Sequence, residues 1–164
     1  MIKKRHKKTI KVAITGNRYP LPTDQRIIQN IMKKLVLNKK VSEIIFGGAI
    51  GVDSIALIYA LQFRAQAATK LPKLTVIVPD EVSNQPKSTR EVTALANQII
   101  ELKNEITDTD GYKAYRVRNE EMVKRADRIV AFWNGVPRSG TFMTINLAKK
   151  YKKAYEIIDI QGKD

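Results

Sequence analysis

The sequence predicts an α/β fold of the Rossmann-like, doubly wound kind, a mainly parallel five-stranded sheet with helices on both faces. Three observations predict it. Short apolar runs recur at residues 10–15, 44–46, 74–78 and 129–133, and read as strands buried on both faces. Segments with helical apolar spacing alternate with them, as in βαβ units. Glycine stands at or just past the end of three runs, at Gly16, Gly47 and Gly135.

The elements follow in order. Residues 1–8 form a basic, flexible arm whose His6 reads as a solvated side chain. Residues 9–164 form one Rossmann-like nucleotide-binding domain, with no internal repeat or linker. Residues 10–15 make the first strand. A helix follows Pro22, with Thr23 or Asp24 as N-cap and a stripe of Ile27, Ile28, Ile31 and Leu35. Residues 44–46 are the second strand, and a helix runs from Val52 to Ala67, which Pro72 forbids from continuing. Residues 74–78 are the third strand. Val92, Leu95, Ala96, Ile99 and Leu102 recur at helical spacing and predict a helix over residues 89–104. The stretch 81–110 as a whole reads as an insertion or lid, or else as a packing helix with loops. Residues 112–125 form a helix with Tyr115, Met122 and Val123 facing inward. Residues 127–133 are the fourth strand, and Thr141 opens a last helix whose carboxyl end carries Lys149, Lys150, Lys152 and Lys153, where cations are favoured. Residues 154–158 close the sheet.

Composition narrows the function. At 164 residues the chain suffices for one domain with a real core. It has no Cys, which excludes disulfides, thiol nucleophiles and Cys-type zinc sites and suits a reducing cytoplasm. No apolar run is long enough to span a bilayer, so no membrane partner is expected. With one His and no acidic cluster of ligand spacing, no metal site is expected, and Mg²⁺ would arrive only with a nucleotide. The net charge is +14, and the first eleven residues hold six of the basic side chains, leaving about +8 on the rest. Such a field favours phosphate-rich partners: nucleotides, nucleic acid or an acidic protein.

In open α/β sheets, ligands bind at the carboxyl ends of the strands. Four segments converge there: Gly16-Asn17-Arg18, the turn Gly47-Gly48-Ala49-Ile50-Gly51 with Asp53, Arg118-Asn119, and the stretch from Trp133 through Gly135 to Ser139-Gly140-Thr141. Two of these segments place Gly or hydroxyl groups at a helix start, where unpaired N–H groups favour phosphate. Arg18, Arg118 and Arg138 offer charge-assisted contacts. Asp53 either binds a ribose hydroxyl or caps its own helix. Trp133 either stacks on a base or packs at a strand end. Ser139 and Thr141 either hold phosphate or cap their helix.

The succession Gly-Asn-Arg, Gly-Gly-Ala-x-Gly-Val-Asp, Arg-Asn-x-x-Met-x-x-x-Ala-Asp, Trp-x-Gly and Ser-Gly-Thr resembles the SLOG superfamily over about residues 10–158. That group includes the DNA-processing protein DprA (Smf), the YpsA-like and YAcAr-type proteins and the Lonely Guy (LOG) enzymes. The resemblance implies a Rossmann-like fold with the pocket at these loops, and a homodimer, since such sites often lie near a subunit interface. It leaves three functions open. The first is binding of a nucleotide or nucleotide-derived molecule, such as an ADP-ribose derivative, as sensor or carrier. The second is LOG-like N-glycoside hydrolysis, with Arg118 as the candidate catalytic residue. The LOG Glu position, however, falls on Thr144, and a glycosidase needs a carboxylate. The third is DprA-like binding of single-stranded DNA.

Overall fold

The computed structural model describes residues 8–67, 70–107 and 111–164. His6 and the rest of residues 1–7, and residues 68–69 and 108–110, lie outside the described residues. The order is β1 (Ile10–Gly16), α1 (Pro22–Leu37), β2 (Val41–Phe46), α2 (Val52–Gln66), β3 (Lys73–Val78), α3 (Lys87–Thr93), β4 (Gln98–Glu101), α4 (Gly111–Arg125), β5 (Arg128–Trp133), α5 (Gly140–Lys150) and β6 (Ala154–Asp159). A single 3-10 turn, Val82–Asn84, precedes α3.

All five strand pairings are parallel, and the sheet runs β4-β3-β2-β1-β5-β6. The chain first winds outward from β1 to β4, then returns through α4 to β5 on the other side of β1. The reversal between β1 and β5 opens a crevice at their carboxyl ends. On one face α1 and α2 cover Val12, Ile14, Ile44, Phe46, Leu74 and Val76. On the other, α4 and α5 cover Ala13, Ile45, Ile77 and Ile129 through Met122, Val123, Leu147 and Ala148. Successive strand residues point to opposite faces, so strands covered on both sides read as unbroken apolar runs.

Three expectations need correction. The sheet has six strands rather than five, because the helix expected over residues 89–104 is a short helix, α3, followed by the edge strand β4. Val92 and Ala96 pack on the α1–α2 core, whereas Ile100 and Leu102 pack on the α4–α5 core. One apparent helical stripe is thus two stretches serving opposite faces. In α1, Ile28, Met32 and Val36 are the buried line, while Ile27 is exposed. The N-cap of α1 is Leu21, with Pro22 at the first helical position. Asp24 closes the first turn instead: Oδ2 accepts the Leu21 N–H at 2.7 Å and Oδ1 accepts the Gln161 N–H at 2.9 Å.

That second bond helps anchor the carboxyl-terminal strap. Tyr19 and Lys163 exchange backbone hydrogen bonds at 2.7 and 3.0 Å, and Asp164 Oδ1 accepts the Arg18 N–H at 3.1 Å. The strap therefore fixes the loop that presents Arg18. Near the amino end of the interior strand β2, Glu43 is 3% exposed and accepts hydrogen bonds from Thr75 Oγ1 at 2.6 Å and from Arg125 Nε and Nη2 at 3.0 and 2.8 Å. Burial alone would raise its carboxyl pKa, but these bonds and the nearby cations hold it below the ordinary value.

Candidate functional site

A cavity of about 950 Å³ opens at the carboxyl ends of β1, β2 and β3, walled by α4 and α5. The sheet ends supply its floor, and Gly47 is the centre of that floor. A Cβ there would lie 2.8 Å from both Arg118 Nη1 and Asp53 Oδ2, so any larger residue would push the two charged groups off the turn. Arg118 Nη1 donates to the Gly47 carbonyl, and Nε donates to Asn119 Oδ1 at 2.7 Å. Asp53 Oδ2 accepts the Ala49 N–H at 3.3 Å, and its carboxylate also accepts the Gly47 N–H. Both charges therefore grip the same turn from inside the fold.

Burial pushes the Asp53 carboxyl up to about 6, against the pull of Arg118 and of the Ala49 and Gly47 N–H groups. Burial likewise lowers Arg118 from its ordinary value, opposed by Asp53. Asp53 is thus neither a plain helix cap nor an exposed ribose ligand. It braces the turn.

The turn is less open to phosphate than its glycines suggest. Its Gly47 and Ala49 N–H groups face Asp53, and the Val52 N–H at the start of α2 donates to the Asn17 carbonyl at 3.1 Å. Gln85 Nε2 covers part of it by donating to the Gly48 carbonyl at 2.8 Å. The start of α5 differs. Ser139 caps it, its Oγ accepting the Phe142 N–H at 3.1 Å. Gly140 and Thr141 line the cavity at the first turn, where backbone N–H groups precede the intrahelical ladder.

The cavity brings together Gly16, Arg18, Gly47, Gly48, Ala49, Asp53, Arg118, Asn119, Ser139, Gly140 and Thr141, as the sequence predicts. Four expected residues do not line it. Asn17 is fully buried, and its Oδ1 accepts the Asn134 N–H at 2.9 Å, tying β1 to the loop after β5. Gly51 has φ +84° and packs against the Arg18 backbone. Gly135, at φ +82°, shapes the loop. Trp133 stacks on Phe142, with ring centroids 5.5 Å apart, and its Nε1 donates to the Val136 carbonyl at 2.9 Å. The indole therefore packs the loop before α5 rather than a ligand. Thr144 is buried and back-bonds through Oγ1 to the Gly140 carbonyl at 3.0 Å.

Sequence reasoning missed Tyr115 as a site residue. It is half-buried in the cavity wall, with Arg18 Cζ at 6.0 Å and Arg118 Cζ at 5.7 Å from its ring centroid. Its position three residues before Arg118, one helical turn away, was the available signal. Gln85 and Thr89 also line the cavity, so part of the expected lid segment does border the site. Arg116, Arg138 and Lys150 lie on the α4–α5 side of the rim, Asp80 and Glu81 lie after β3, and Asp164 lines the cavity beside Arg18. Among the described residues, no group of three or more His, Cys, Asp or Glu side chains could hold a metal ion, and no helix is long and apolar enough to cross a membrane.

Fold and site together define a Rossmann-like protein with a cationic, partly aromatic cavity at the switch point of a parallel sheet. The family model for DNA recombination-mediator protein A matches residues 3–162, and the chain belongs to that family. Among solved structures it is similar to DNA processing protein A from Helicobacter pylori, described for its single-stranded DNA binding mode, at 26% identity and a TM-score of 0.70. It is similar in fold to DNA processing protein A (DprA) from Streptococcus pneumoniae, at 16% identity and a TM-score of 0.71. The matches cover 92% of this chain but only 65% and 50% of those two chains. No curated protein matches the chain.

Proposed function

We propose that this domain binds single-stranded DNA, with one nucleotide lodged in the cavity and its neighbours on the α4–α5 rim. The observation that carries the reading is Tyr115, an aromatic ring in the cavity wall flanked by the guanidinium groups of Arg18 and Arg118. An unpaired base offers a π-face to such a ring, and its phosphates meet the cations beside it. A duplex keeps its bases stacked inside and cannot present one. Family membership and the likeness to the Helicobacter pylori protein support the same reading. Arg18 and Arg138 are exposed and lie near the first turn of α5, where a phosphate would also meet backbone N–H groups. The reading is one of binding without bond cleavage, since Thr144 occupies the position of the LOG carboxylate and is turned away into the helix.

A second reading, a free nucleotide or nucleotide-derived ligand in the same cavity, is favoured by its volume of about 950 Å³. That is ample for a compact ligand, since small-molecule pockets span about 300–1,000 Å³.

The test is fluorescence anisotropy with a labelled oligothymidylate of about twenty nucleotides, against a duplex of equal length and against competing mononucleotides. Single-strand binding that weakens about tenfold or more in Arg18→Ala is expected, as for loss of one charge-assisted contact. Equal affinity for duplex and single strand, unchanged in Arg18→Ala, would overturn the proposal. Complete displacement by a mononucleotide near its own cavity-filling concentration would favour the second reading.

A further inference from the structure

The cavity is not closed at its α4–α5 end. It runs into the groove between these helices, where Arg116 from α4 and Lys150 from α5 line it. The cationic line then continues. Lys150 Nζ and Lys124 Nζ lie 5.3 and 5.5 Å from the ring centroid of Tyr151, one from each helix. Lys153 Nζ donates to the Lys124 carbonyl at 3.2 Å. Lys150, Lys124 and Lys153 gather at the carboxyl end of α5, and Arg116 lies eight residues before Lys124 on α4, about 12 Å away at 1.5 Å per residue.

Two carboxylates accompany them. Glu120 accepts the Tyr151 hydroxyl and lies 3.9 Å from Lys150 Nζ. Glu121 acts on Tyr151 from the neighbouring groove, which it lines with Ile77, Ile100 and Leu102 and which Lys124 and Arg125 share. The helix dipole accounts for cations in the last turns of α4 and α5, such as Lys124 and Lys150. It does not account for Arg116 in the first half of α4, whereas Lys153 meets a last-turn carbonyl of α4 through its bond to Lys124. The acidic side of the cavity, Asp80 and Glu81, lies away from this groove, at the end of β3. A polyanion leaving the cavity is therefore drawn along α4 and α5 and repelled from β3.

We infer that the α4–α5 groove is a phosphate track that carries a single strand onward from the cavity, with Arg116, Lys150, Lys124 and Lys153 as successive contacts. This rests on the reading of the cavity as a single-strand site and adds its direction and length. The track reads no sequence, because its groups are point charges and a tyrosine already covered by two ammonium groups.

The test uses the double variant Lys124→Gln/Lys153→Gln, neither residue lining the cavity. Wild type and variant are titrated with oligothymidylates of about six and about twenty nucleotides over a range of salt. The variant is expected to bind the short strand as wild type does. It should bind the long strand several-fold more weakly, with a salt slope shallower by about 1.4, or about 0.7 for each lost phosphate contact. A variant whose long-strand affinity and slope match wild type overturns the track and leaves the cavity reading standing. Wild type that binds neither length overturns the cavity reading and the track with it. Single Lys153→Gln, which removes the side-chain bond to the Lys124 carbonyl, repeats the test with one substitution.

Discussion

Gly51→Ala is expected to destabilise the protein and loosen the Arg18 loop together. Gly51 is the N-cap of α2 with φ +84° and ψ −129°, a conformation that L side chains rarely adopt. An added Cβ would lie 2.6 Å from the Arg18 Cα and closer still to the Arg18 carbonyl, all backbone that cannot rotate away. Two losses follow. Backbone strain at such a residue costs about 1–3 kcal/mol. Relieving the overlap moves the Arg18 loop from α2 and weakens the Val52 N–H to Asn17 carbonyl bond, worth about 1 kcal/mol more. The sum, about 2–4 kcal/mol, is a large part of a typical domain's stability. Urea denaturation with linear extrapolation reads it directly. The control is Gly140→Ala, where an added Cβ meets nothing within 4 Å and φ is not positive. There stability should stay equal or rise by up to about 1 kcal/mol, as for Gly→Ala at a compatible helical position. If Gly51→Ala lies within about 0.5 kcal/mol of wild type, the close approach of α2 to the Arg18 loop is wrong.

Three further expectations concern the buried charges. Asp53 has its carboxyl raised to about 6, so between about pH 4 and 6 the native state holds more protons than the unfolded chain. Its contribution to stability is thus fully present below pH 4 and declines as pH rises through that window, by about 1–3 kcal/mol; Asp53→Asn should flatten the decline in denaturation curves taken at each pH. Arg118→Ala and Asp53→Asn should be non-additive, with a coupling of about 1–3 kcal/mol in a double-mutant cycle, because both side chains hold the Gly47 turn. Glu43, held below the ordinary carboxyl value, acts in the opposite sense: its contribution is present above the unfolded pKa and is lost as pH falls through the folded one. Glu43→Ala should cost about 3 kcal/mol by removing the carboxylate that the Arg125 guanidinium and Thr75 Oγ1 both bond, and calorimetry at neutral pH checks this.

The sheet was legible wherever both faces of a strand are covered. Residues 44–46 and 74–78 read as apolar runs because helices pack on both sides of β2 and β3. β4 was hidden because an edge strand of four residues leaves Ile99 exposed and alternates weakly. Its β-branched pair, Ile99 and Ile100, was the signal against a helix. The loops that converge on the cavity could be placed from their glycines and from the strand order. Which groups face the ligand could not. Trp133 and Asn17 sit on the right loops but turn inward, because the loop before α5 needs a packed ring and a backbone partner. Tyr115 looked like a core residue, since its helical spacing is the same whether it faces apolar side chains or two guanidinium groups.

Photocrosslinking reads whether a base rests against Tyr115 in this cavity. The protein is irradiated with an oligothymidylate carrying 5-bromodeoxyuridine, and the crosslinked peptide is identified by mass spectrometry. The principal crosslink is expected on the first turns of α4, at Tyr115 or Tyr112, and is expected to be lost in Tyr115→Ala while the protein remains folded. Crosslinks confined to surfaces away from α4 and the β1 and β2 ends, and undiminished in Tyr115→Ala, would contradict this placement of the base.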